Sequence, residues 1–92
     1  MGANRLNLEI RSHTLQFSKR FRLRAFTDCY LQFERVSRYD YCIVTIYKTS
    51  VHCYRLMMYC SHLQVVKKSA YVSFRTIQDL CIYLETLSKM LL

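Results

Sequence analysis

The hydrophobic period of this chain changes once, near Thr76, and that change restricts the class of fold open to it. Ahead of Thr76, apolar residues recur mostly at every second position, the period of a half-buried strand. Beyond it, Ile77, Leu80, Cys81, Leu84, Leu87 and Leu91 trace one face of a helix. Thr76, with Asp79 three residues on, matches a helix N-terminus. Asp79 and Lys89 complement the dipole at its two ends, and Glu85 and Lys89 are spaced as an i,i+4 pair. The sequence holds no proline and one glycine, Gly2, so its turns must be built from Asn, Asp, Ser, Thr and Lys.

Leu6, Leu8 and Ile10 alternate with Arg5, Asn7, Glu9 and Arg11 and predict a first strand. A second runs from about Leu15 to Ala25 and a third from Cys29 to Val36. A loop over Phe26–Asp28 matches their apolar sides, setting Leu23 against Leu31 and Phe21 against Phe33. That register gives Arg20 a carboxylate, Glu34, and leaves Arg22 and Arg24 without an acidic neighbour. Tyr41–Lys48 and Val51–Cys60 read as a hairpin turning at Thr49-Ser50. One face of it then carries Tyr41, Ile43, Thr45, Tyr47, His52, Tyr54, Leu56 and Met58. The other carries Cys42, Val44, Ile46, Cys53, Arg55 and Met57. Both faces are rich in apolar residues, which predicts a central hairpin covered on both sides. Shorter strands are expected near Leu63–Val66 and Tyr71–Phe74. The fold class is therefore α+β: an antiparallel β-sheet of about five or six strands packed against one C-terminal amphipathic α-helix, in a single compact domain over residues 1–92.

Charge directs the functional reading. Fourteen Lys and Arg stand against six Asp and Glu, a net charge of +8, which attracts polyanions. No acid lies between Glu9 and Asp28, or between Asp40 and Asp79. The first acid-free stretch contains Arg20, Arg22 and Arg24 at alternate positions, so a strand there presents a row of guanidinium groups suited to phosphate oxygens. Lys19 and Arg11 extend the patch, and Tyr30 shares the outward parity of Arg22 and Arg24. The same pattern also serves as the solvated face of an ordinary strand, and the placement of the arginines decides between the two. Tyr41, Tyr47 and Tyr54 on one open sheet face would add a platform for bases, but their mixture with Ile43, Leu56 and Met58 more often describes a core or a subunit interface.

The expected function is a small basic nucleic-acid-binding protein that contacts the phosphate backbone of DNA or RNA with little sequence specificity. The alternative is a protein-interaction or inhibitory module, homodimeric or not, that recognises an acidic protein partner. No nucleophile motif or glycine-rich phosphate loop is present, and His13 has no readable partner, so no enzyme activity is expected. No cofactor and no metal are expected either. His52, Cys53, Cys60 and His62 lack paired ligand spacing, and residues 53 and 60 of an extended strand lie about 23 Å apart. The five cysteines, an odd number without C-x-x-C, read as buried free thiols of an intracellular protein, in cytoplasm or nucleus. The N-terminus lacks the apolar stretch of a signal peptide, and no run approaches the roughly 18 residues of a membrane span.

Overall fold

A computed structural model describes residues 2–90. Its elements are α1 (Gly2–His13), α2 (Leu15–Arg20), β1 (Arg22–Phe26), β2 (Tyr30–Val36), β3 (Asp40–Ser50), β4 (Cys53–His62), β5 (Val65–Phe74) and α3 (Ile77–Met90). The strands form one five-stranded antiparallel sheet in the order β1-β2-β3-β4-β5, so short hairpins suffice to connect it. Leu31 and Phe33 of β2, Val44 and Ile46 of β3, and Leu56 and Met58 of β4 point to one side. There they join Leu6, Ile10, Phe17, Leu80 and Leu84 in a single core. The α+β class, the antiparallel sheet and the C-terminal helix packed on it are as read from the sequence.

Helix α3 begins where its cap places it: the Asp79 N–H donates to Thr76 Oγ1 at 3.1 Å. It buries Leu80, Cys81, Leu84, Leu87 and Ser88; Leu91 lies outside the described residues. Burial pushes the Cys81 thiol up to about 11, with the Glu9 and Glu85 carboxylates adding to the rise. Glu85 has a tertiary task beyond helix pairing. Its Oε1 accepts the Phe17 N–H at 2.9 Å, one of the orphan donors in the first turn of α2.

The N-terminal third departs from the sequence reading. Leu6–Ile10 lies in a helix, not a strand, and Leu15–Arg20 is a second short helix. The alternation of Leu6, Leu8 and Ile10 is too brief to separate the two periods. Leu6 and Ile10, four apart, are buried, whereas Leu8 is left exposed, the outcome a helix dictates. Thr14 ends α1 fully buried, with its hydroxyl donating to the Ile10 carbonyl at 2.6 Å. Phe17 stacks on Phe21 at 4.5 Å and meets Phe33 edge-on at 5.1 Å, which ties α2 to the sheet.

The hairpins also differ in register. Thr27 Oγ1 accepts the N–H groups of Cys29 and Tyr30, so the first turn closes at Asp28-Cys29, later than expected. An irregularity between Leu23 and Ala25 then restores the apolar match as Leu23↔Phe33, and Arg22, not Arg20, faces Glu34. In the next hairpin the turn is Val51-His52, with a register shift between Lys48 and Ser50. Tyr54, Leu56 and Met58 consequently join Cys42, Val44 and Ile46 on the inner face, not Tyr41 and Tyr47 as the sequence suggested. The hairpin is central, but the described helices cover only one of its faces. The two expected short strands are one strand, β5, entered through Leu63-Gln64. Cys42 and Cys60, expected as free thiols, face each other across β3 and β4 and form a disulfide. Cys29, Cys53 and Cys81 are free.

Candidate nucleic-acid interface

The end of α2 and the start of β1 concentrate the basic residues. Phe21 follows α2 in extended conformation and is buried, an anchor that sends Arg20 and Arg22 off either side of it. Lys19 and Arg20 come from the last turn of α2, and Arg11 from the last turn of α1. With Arg22 of β1 and Arg35 of β2 they line a cleft of about 460 Å³, whose single carboxylate is Glu34. Four of the six residues expected at the site, Arg11, Lys19, Arg20 and Arg22, are thus brought together from three elements. Arg11 is held in place by two contacts: its guanidinium lies over the Phe33 ring at 5.9 Å, and its Nε donates to Asn7 Oδ1 at 3.2 Å.

Arg24 and Tyr30 lie on the outer face of the sheet instead. The expectation that Arg22 and Arg24 lack an acidic neighbour is corrected. Arg22 donates to Glu34 Oε2 through Nη2 at 2.8 Å and through Nε at 2.9 Å. The Nε of Arg24 lies 3.7 Å from Glu34 Oε1, and its Nη1 donates to Gln32 at 2.8 Å. The later turn and the register shift in β1 cause this: they bring Arg22, in place of Arg20, opposite Glu34, and Arg24, two residues on, reaches the same carboxylate. One carboxylate between two guanidinium groups still leaves the group positively charged.

The outer face was misread in detail, and its openness could not be read at all. It carries Tyr30, Tyr41, Tyr47, Tyr59 and Tyr71 from four adjacent strands, with Ile43 and Met57 among them. Tyr30 and Tyr47 approach at 6.0 Å between ring centroids, and Tyr41 and Tyr59 at 6.4 Å. A hollow of about 540 Å³ lies between β2 and β5, lined by Gln32, Ile43, Thr45, Met57, Tyr59 and Tyr71 among others. Alternation along β4 and β5 held the signal for Tyr59 and Tyr71, which only the correct turn position would have converted into a shared face.

Elsewhere, two of the four residues weighed as metal ligands are drawn into other bonds. Cys60 is joined to Cys42, and His62 Nδ1 meets Asp40 Oδ1 at 2.5 Å. The hydrogen bond from His62 holds the Asp40 carboxyl below its ordinary value. Among the described residues, no three His, Cys, Asp or Glu side chains group as a metal site would require, and no helix is long and apolar enough to cross a membrane. Compared with known proteins, the chain matches no family model, no curated protein and no solved structure.

Proposed function

We propose that this chain binds nucleic acid by its phosphate backbone, in the cleft between the ends of α1 and α2 and the β1–β2 edge. The observation that carries this reading is the convergence of Arg11, Lys19, Arg20, Arg22 and Arg35 around a cavity with one carboxylate. Cations gathered from separate elements outnumber the local acid, and arginine forks suit phosphate oxygens. Phosphate contacts carry no sequence information, so the binding is sequence-tolerant and strongly salt dependent.

The test is fluorescence anisotropy with a labelled oligonucleotide of about 20 nucleotides, titrated at several salt concentrations. Four phosphate contacts imply an affinity loss of roughly 50- to 150-fold for a fourfold rise in salt. Replacing Arg11, Lys19 and Arg20 together with Ala should remove most of that dependence while leaving the fold intact, since none of the three is fully buried. Arg22 is left in place because it holds Glu34. Absence of binding at low salt overturns the proposal, as does a triple variant that binds like the parent protein. Retention of binding only to an acidic protein would move the cleft to that class of partner.

A further inference from the structure

Resting on that reading, we infer that the ligand is single-stranded and that its bases lie on the open outer face of the sheet. All described helices pack on the other face, so the outer tyrosines are not consumed by the core. Tyr59 and Tyr71 are 43% and 61% exposed, and Met57 between them is 45% exposed. Rings presented from a rigid sheet stack bases without regard to sequence, because every base offers a π-face. The hollow beside them, about 540 Å³, falls in the size range of small-ligand sites. Its Gln32 and Thr45 side chains, joined by a 3.2 Å hydrogen bond, and Ser69 supply polar groups among Ile43, Met57 and the tyrosine rings.

The face is continuous with the basic cleft. Arg22 and Glu34 line the cleft, and the Tyr41 hydroxyl reaches Glu34 Oε1 at 3.5 Å. From Tyr41 the next ring is Tyr59, so a strand held by its phosphates in the cleft can lay its following bases along these rings. Charge favours this occupant over a second copy of the chain. Arg22, Arg24 and Arg55 flank the face, and Glu34 is the one carboxylate described on it. Two such faces opposed across a dimer axis would bring together chains each carrying +8, whereas a phosphodiester strand neutralises the same arginines. A duplex keeps its bases stacked on one another and cannot use the platform.

Three labelled probes of equal length separate the possibilities: oligothymidylate, an abasic phosphodiester strand, and a duplex. At low salt the protein should bind oligothymidylate at least tenfold more tightly than the abasic strand or the duplex. Tyr59→Ala with Tyr71→Ala should weaken oligothymidylate binding about 30-fold and leave abasic binding unchanged, and Phe at both positions should restore it. Equal binding of the abasic strand or the duplex overturns the inference while sparing the cleft, and binding of no strand overturns both. A dimer in sedimentation that is lost in the double Ala variant, with oligothymidylate binding unaltered, would assign the face to a second copy and overturn the inference as well.

Discussion

Glu34 is the residue on which the local electrostatics turn. Its side chain is 10% exposed, whereas that of Arg22, its nearest partner, is 77% exposed. The pair is therefore half solvated, and its contribution belongs near the modest end for ion pairs, on the order of 1 kcal/mol. Its larger effect is on charge, because one carboxylate offsets two guanidinium groups at the meeting point of cleft and sheet face. Glu34→Gln keeps the shape and the acceptor oxygen but removes the charge. We expect it to tighten oligonucleotide binding at low salt and to steepen the salt dependence by about one phosphate contact. The same variant should melt a few degrees lower, since about 1 kcal/mol is worth roughly 4–8 °C in a domain of this size. Anisotropy and thermal melts on the one protein check both, and unchanged salt dependence would show that Glu34 does not mask the arginines. The alternation from Arg20 onward made these side chains visible in the sequence. Their partner was not visible, because a register shift in β1 has no signature in the composition of Arg-Leu-Arg-Ala.

At the scale of elements, scarcity of glycine shows most clearly in the turn between β4 and β5. Leu63 and Gln64 both take positive φ, 51° and 66°, a region that costs a residue with a Cβ about 1–2 kcal/mol. Two successive left-handed residues make the kind of hairpin turn that Asn-Gly ordinarily fills. Leu63→Asn with Gln64→Gly should accordingly stabilise the protein by about 1–2 kcal/mol in urea denaturation, discounted for the greater freedom of Gly in the unfolded chain. A loss of stability would mean that the exposed Leu63 side chain contributes more than its backbone costs. This turn also explains what could be read ahead of the structure. Helix α3 was legible because cap, dipole residues and apolar stripe agree over four turns, β2 because Leu31 and Phe33 alternate with polar residues, and β3 because β-branched and aromatic residues dominate it. The Leu63-Gln64 turn was not, since neither residue signals a left-handed backbone, and β5 was accordingly split into two strands. Leu6–Ile10 failed for a different reason. Two helical turns of buried residues, Leu6, Ile10 and Thr14, were concealed by a five-residue alternation that tertiary packing overruled.

For the molecule as a whole, layering separates what stabilises the fold from the surfaces proposed to meet a ligand. The core lies between sheet and helices, and the basic and tyrosine-rich surfaces lie outside it, so the two can be perturbed independently. The Cys42–Cys60 disulfide offers the sharpest test of that separation. It joins β3 to β4 across 18 positions of sequence, and closing a loop of that length restricts the unfolded chain by about 3 kcal/mol in the chain-entropy model. Its half-cystines belong to the inner face, whereas Tyr41 and Tyr59 beside them point outward. Replacing Cys42 and Cys60 together with Ser, or adding a reductant to the parent protein, should therefore lower the melting temperature by more than about 10 °C. Oligonucleotide affinity measured well below the new midpoint should stay unchanged, because the cations lie on α1, α2, β1 and β2 and the strand pairing survives in hydrogen bonds. Blocking Cys29 and Cys53 beforehand keeps exchange with other thiols out of the measurement. A variant that melts lower but still binds supports the division between core and surface. One that loses affinity at unchanged helix and sheet content would show that the bond sets the spacing of Tyr41 and Tyr59, and that fold and site are coupled through the two central strands.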